Sequence, residues 1–186
     1  DTLTLGAFVH TVTVSNVETI TGGSTNDTVT LGAQATGITI DLAAGLDKLI
    51  LGAHVNTVTV SNVETIVGGS TNDTVVFGNA VTGSTVDLGA GDDTLTFDAA
   101  GATVTVSNVE TVTGSTADDV VTLGGQAAGV VLDLSDGNDT VVLGAFVNTV
   151  TLSNVETVTG GASADTVTLA TQATASVIDL GGGNDH

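Results

Sequence analysis

Aspartate recurs in this chain at fixed places. One column is Asp1, Asp47, Asp93, Asp139 and Asp185, a second is Asp27, Asp73, Asp119 and Asp165, and a third is Asp41, Asp87, Asp133 and Asp179. Glu18, Glu64, Glu110 and Glu156 form a fourth, and the step within each column is 46 residues. Apart from Asp92, Asp98, Asp118 and Asp136, these columns hold all 21 acids, against a single base, Lys48. If the units carrying the first two columns stack as successive coils of a rod, nine Asp side chains fall about one strand spacing apart, ~4.8 Å. Each neighbouring pair then repels by roughly 3 kcal/mol at an effective dielectric of about 20. Lysine cannot neutralise such a column here. A hard divalent cation can, because Ca²⁺ takes its oxygens from carboxylates and backbone carbonyls. The expected ligands are Asp27, Asp47, Asp73, Asp93, Asp119, Asp139, Asp165 and Asp185, through their side chains. Gly45, Gly91, Gly137 and Gly183, each two residues before an Asp, belong to the same turns and let carbonyls swing toward an ion. The competing reading is plain turn chemistry, with solvated Asp accepting backbone N–H bonds.

Other chemistries find little support. His10, His54 and His186 do not recur in register, so neither a Ser-His-Asp triad nor a soft-metal site is spelled out. Four near-equal repeats without an odd insertion leave no distinctive cleft, and no enzyme activity is expected. The formal charge of −20 excludes phosphate-tracking nucleic-acid binding and disfavours anionic membrane surfaces. No apolar run approaches the roughly 18 residues of a membrane span. Cysteine is absent, so no disulfide framework forms, and methionine, tryptophan, tyrosine and proline are absent as well.

These side chains need a repeating scaffold. The repeat starting at Asp1 reads DTLTLGAFVHTVTVSNVETITGGSTN and then DTVTLGAQATGITIDLAAGL, two related halves of 26 and 20 residues. Apolar residues alternate with Thr in Thr2-Leu3-Thr4-Leu5, Thr11-Val12-Thr13-Val14 and Thr28-Val29-Thr30-Leu31, the pattern of half-buried strands. Gly-rich pieces such as Gly22-Gly23-Ser24 separate them as turns. With 41% hydrophobic residues and a mean hydropathy of +0.44, the chain is no acidic disordered tail. Strands this short bury an inner face only by stacking unit on unit. The expected fold is all-β, a β-roll-like β-solenoid of four repeats, 1–46, 47–92, 93–138 and 139–184, each of two coils of about 26 and 20 residues. Eight coils at ~4.8 Å give a rod on the order of 40 Å long. The array 1–186 is expected to be one domain, cut from a longer chain.

Ser-Asn-Val-Glu-Thr occurs unchanged at 15–19, 61–65, 107–111 and 153–157. It is expected to form a corner between strands. Asn16, Asn62, Asn108 and Asn154 would stack as a hydrogen-bonded ladder. The Glu of the motif is either solvated or engaged with a metal or a turn N–H.

The segments Leu88-Gly-Ala-Gly-Asp-Asp-Thr-Leu-Thr and Gly182-Gly-Asn-Asp resemble the repeats-in-toxin (RTX) calcium-binding β-roll, whose unit is G-G-x-G-x-D-x-U-x. The resemblance implies Ca²⁺ shared between Asp side chains and turn carbonyls of adjacent turns. The turns ending at Asp27, Asp73, Asp119 and Asp165 keep the Asp but lack the Gly two before it, with Thr25, Thr71 and Ala117 there in the first three. The whole unit is also similar to the repeat arrays of giant bacterial surface adhesins of RTX type. That likeness implies an extracellular or cell-surface structural segment, rigidified by Ca²⁺. Coil ends expose unpaired strand edges, so self-association, end to end or laterally, into fibres is expected. The alternative is a binding module for ice or a glycan, through outward rows such as Thr11, Thr57, Thr103 and Thr149.

Overall fold

The computed structural model describes residues 1–98, 100–171 and 174–186. Among them are twenty short β-strands and no helix. The first repeat supplies β1 (Thr2–Thr4), β2 (Thr11–Val14), β3 (Thr19–Thr21), β4 (Thr28–Leu31) and β5 (Thr36–Asp41); the second begins with β6 (Lys48–Ile50) and β7 (Thr57–Ser61). Odd-numbered strands form one ten-stranded parallel sheet and even-numbered strands the other. Each coil therefore has one strand in each sheet, and the chain is a parallel β-solenoid.

Two columns of inward side chains form the core. In the odd sheet Leu3, Ile20, Ile40, Val60, Phe77 and Phe97 are successive Cα partners. In the even sheet the run is Val12, Val29, Leu49, Ile66, Val86, Val106 and Leu123. Most of these residues are fully buried, and burying each side chain of this size stabilises the fold by about 1.5–3 kcal/mol. The Phe77 and Phe97 rings meet with centroids 6.1 Å apart, tilted by 35°. Interior strands donate every ladder N–H, which fits the absence of proline.

The repeat grouping holds with one refinement. The 20-residue half closes one coil: Lys48 N–H bonds Asp27 O, and Thr28 pairs with Lys48. The 26-residue half runs half a coil further, because the whole repeat contributes five strands and a coil uses two. Coil length follows the corner. Thr2 to Thr19 is a 17-residue step that includes the Ser-Asn-Val-Glu corner, whereas Thr19 to Thr39 and Asp41 to Ser61 are 20-residue steps without it. Nine strand steps at ~4.8 Å separate the ends of each sheet by roughly 43 Å.

Candidate cation-binding edges

An odd number of strands per repeat sends successive repeats to opposite edges of the rod. Turns 5–10, 22–27 and 42–47 and corner 61–64 lie on a first edge, leading from the odd sheet into the even one. Corner 15–18 and turns 51–56 and 68–73 lie on the second edge. The acidic columns of the sequence are thereby cut and regrouped. Asp27, Asp47 and Glu64 are consecutive on the first edge; Asp73, Asp93 and Glu110 follow on the second; Asp119, Asp139 and Glu156 return to the first. Asp165 and Asp185 are consecutive on the second edge. The single column of nine Asp expected from the sequence is therefore absent. Like charges meet in short groups, separated along each edge by neutral residues such as Asn56 and Ala102.

Within a group each carboxylate reaches back one coil and accepts a backbone N–H. Asp27 Oδ1 takes the N–H of His10 at 2.8 Å, Asp47 Oδ1 that of Asp27 at 2.6 Å, and Glu64 Oε2 that of Asp47 at 2.7 Å. On the second edge Asp73 Oδ1 takes Asn56 N–H at 2.9 Å, Asp93 Oδ1 takes Asp73 N–H at 2.6 Å and Glu110 Oε2 takes Asp93 N–H at 2.8 Å. The third repeat gives Ala102 to Asp119 at 2.7 Å, Asp119 to Asp139 at 2.7 Å and Asp139 to Glu156 at 2.9 Å. Asp185 Oδ1 closes on the N–H of Asp165 at 2.8 Å. Glu18 stands next to the N-terminal ammonium of Asp1, which lowers its pKa. Turn N–H groups that would otherwise be left unpaired inside the rod are thus satisfied by carboxylates.

The position before each group escaped the sequence reading. His10, Asn56 and Asn148 begin the ladders on Asp27, Asp73 and Asp165. Asn56 Nδ2 also donates to Asp73 Oδ1 at 3.0 Å, and its Oδ1 accepts Ala35 N–H at 3.0 Å. His10 Nδ1 lies 3.1 Å from Asp27 Oδ1, in the place of that amide. The signal available was the recurrence of Asn at the same place in the second and fourth repeats.

The corner motif has a division of labour. Asn16, Asn62, Asn108 and Asn154 hold left-handed backbones, with φ of 56°, 52°, 53° and 53°. They alternate between edges, so they form no ladder with one another. Instead Asn62, Asn108 and Asn154 each donate Nδ2–H at 2.7 Å to Asp41, Asp87 and Asp133, three of the four members of the third Asp column. Val63, Val109 and Val155 plug the corner from inside.

Asp27, Asp47, Asp73, Asp93, Asp119, Asp139 and Asp165 are at most 1% exposed. Burial pushes the carboxyls of Asp93 and Asp139 up to about 6; their N–H bonds from Asp73 and Asp119 oppose the rise, and the carboxylates around them add to it. Asp47 and Asp73 are raised too, first by burial. The Oδ2 atoms of Asp47, Asp93, Asp139 and Asp165 have no hydrogen-bond partner, and neither do the buried hydroxyls of Thr25 and Thr71, while the Asp73 carboxylate draws some support from the Gly69 N–H. In contrast, Asp27 Oδ2 accepts Gly23 N–H at 3.4 Å and Asp119 Oδ2 accepts Ser115 N–H at 2.8 Å. A hard cation fits this donor set, which is oxygen only, anionic and partly unsatisfied. Among the described residues no three His, Cys, Asp or Glu side chains converge as a metal centre, so an ion here would draw further ligands from turn carbonyls. Gly91, Gly137 and Gly183 adopt φ of 151°, 145° and 141° and, like Gly45, pack against the backbone of the preceding turn, where a Cβ would collide. They bring adjacent turns into contact.

A family model described as the RTX calcium-binding nonapeptide repeat (4 copies) matches residues 15–35. The matched segment holds the corner motif and Gly22-Gly23-Ser24-Thr25-Asn26-Asp27, one of the turns without the third Gly. No curated protein and no solved structure matches the chain. The match and the parallel β-solenoid are consistent with an RTX β-roll, a structural calcium-binding repeat module and not a typical enzyme fold. RTX repeats are typical of secreted proteins, and among the described residues no helix is long and apolar enough to cross a membrane.

Proposed function

We propose that this chain is a stiff structural segment of a secreted bacterial surface or extracellular-fibre protein, rigidified by Ca²⁺ at its Asp/Gly turns. The observation that carries the reading is the recurrence, on both edges, of fully buried Asp carboxylates with an unsatisfied oxygen. Asp27, Asp47, Asp73, Asp93, Asp119, Asp139, Asp165 and Asp185 would hold the ions, with Gly45, Gly91, Gly137 and Gly183 in the ligand turns. Bound Ca²⁺ supplies positive charge where the chain has almost none. Low Ca²⁺ inside a cell leaves the acidic chain unfolded for export, and high Ca²⁺ outside folds it. Self-association, end to end or laterally into fibres, belongs to the same reading.

Far-UV circular dichroism during a CaCl₂ titration after EDTA treatment tests this. The expected result is β signal that grows with Ca²⁺, with a midpoint shifted upward by Asp93→Ala combined with Asp139→Ala. A chain fully β-structured in EDTA, with no response to Ca²⁺, removes the calcium switch and leaves core stacking alone to hold the rod.

The row Thr11, Thr57, Thr103 and Thr149 expected from the sequence is split, Thr11 and Thr103 lying in the even sheet and Thr57 and Thr149 in the odd one. A second reading, a face that binds ice or a glycan, draws instead on the outward column Thr11, Thr28, Lys48, Thr65, Thr85, Thr105, Thr122, Val142 and Thr159 of the even sheet. Lys48 and Val142 interrupt the hydroxyl row, which weakens this reading against the first.

A further inference from the structure

Three consecutive turns on the first edge are closed in the same way from the coil that follows. The turn ending at His10 receives the carboxylate of Asp27, the turn ending at Asp27 receives that of Asp47, and the turn ending at Asp47 receives that of Glu64. Glu64 thus takes, for the third turn, the place that a column Asp takes for the other two. The same substitution occurs at Glu110 for the turn ending at Asp93 and at Glu156 for the turn ending at Asp139. The Glu sits on the Ser-Asn-Val-Glu corner, whose coil is three residues shorter than its neighbours, a 17-residue step against 20. At the shorter corner the acceptor is a Glu, one methylene longer than the Asp of the six-residue turns.

The turns so closed are the ones with Gly two residues before the Asp, at Gly45, Gly91 and Gly137. The Asp that ends each of them is at most 1% exposed, and its Oδ2 has no partner in any of the three repeats. Each Asp that carries an orphaned oxygen here also donates its own backbone N–H to a Glu carboxylate.

We propose that Glu64, Glu110 and Glu156 are cation ligands, each binding together with Asp47, Asp93 or Asp139 a hard divalent ion in the turn that this Asp ends. The corner motif then serves as a metal-binding element as well as a turn. This rests on the reading that Ca²⁺ occupies the acidic edges, and it adds to the expected ligand set a residue type outside the Asp/Gly turns.

The test is a full-length chain carrying Glu64→Gln, Glu110→Gln and Glu156→Gln. Glutamine keeps a carbonyl oxygen to accept the N–H of Asp47, Asp93 and Asp139 and removes only the charge. Isothermal titration with CaCl₂ and Tb³⁺ luminescence would be compared with the wild type, alongside the far-UV circular dichroism signal at saturating CaCl₂. The expected result is a smaller number of ions bound per chain, or a class of sites weakened by about tenfold or more, with the β signal at saturating CaCl₂ retained. Unchanged stoichiometry and affinity overturn the proposal and reduce the Glu to an N–H acceptor. Absence of Ca²⁺ binding by the wild type would instead overturn the reading beneath it. Should the triple variant fail to fold, Glu110→Gln alone, in the middle of the rod, gives the same comparison for one site.

Discussion

Asp93 Oδ1 lies 2.6 Å from the backbone nitrogen of Asp73, one coil earlier. A buried anion therefore completes the hydrogen bonding of a buried backbone, and the rod depends on the same carboxylates that burden it with charge. Asp93 in turn donates its own N–H to Glu110 at 2.8 Å. Two requirements follow for each acidic group: an oxygen must stay in place for the N–H, and the negative charge must be offset. A proton or a divalent ion meets the second requirement without disturbing the first.

The pH dependence follows from that equivalence. Asp93 and Asp139 have folded-state pKa values of about 6, above the ordinary 3.8 expected when unfolded. The folded chain holds these protons more tightly, so their stabilising effect is complete below about 4 and is lost as pH rises through about 6. Asp47 and Asp73 shift in the same direction. In Ca²⁺-free buffer the β signal should therefore be larger at pH 4.5 than at pH 7.5, and saturating Ca²⁺ should narrow the difference. A Ca²⁺-free β signal that grows from pH 4.5 to 7.5 would contradict the assignment of these buried carboxyls.

Close backbone contact makes a separate prediction, independent of any ion. A Cβ on Gly68 would overlap the backbone carbonyl of Leu88 in the next coil, whereas one on Gly6 would meet nothing within 4 Å. Gly68→Ala is expected to destabilise the rod by about 1–3 kcal/mol, as overpacking does when backbone must move. Gly6→Ala should stay within about 0.5 kcal/mol of wild type. Denaturant melts of the two variants give the comparison, and equal midpoints would show that the coils can separate freely at this position.

The corner asparagine offers a third. At Asn62 the backbone is left-handed, with φ of 52°, and Nδ2 donates to Asp41 at 2.7 Å. Asn62→Gly loses the side-chain bond but keeps the backbone comfortable. Asn62→Ala loses the bond and adds a left-handed penalty of roughly 1–2 kcal/mol. The Gly variant should therefore melt above the Ala variant. The reverse order would mean that the positive φ is not what Asn supplies here.

The sequence by itself determined the period, the strand positions and the turns. Alternating Thr and Val in Thr11-Val12-Thr13-Val14 admits one burial pattern, and four copies of one repeat require stacking to cover it. The family resemblance was legible in Gly, Asp and their spacing, and residues 15–35 match that repeat. The neighbours of each carboxylate were not legible. Strands of both sheets carry the same Thr/Val alternation, so nothing in one repeat says that its five strands span two and a half coils. Only the tertiary pairing fixes that parity. Parity places Asp27, Asp47 and Glu64 together on one edge, puts the next group on the other, and turns the corner Asn toward Asp41, Asp87 and Asp133 instead of toward one another. Which charges meet is a property of how many strands close a coil, and that number is set by how wide a core the inward Leu, Ile, Val and Phe side chains fill between the two sheets.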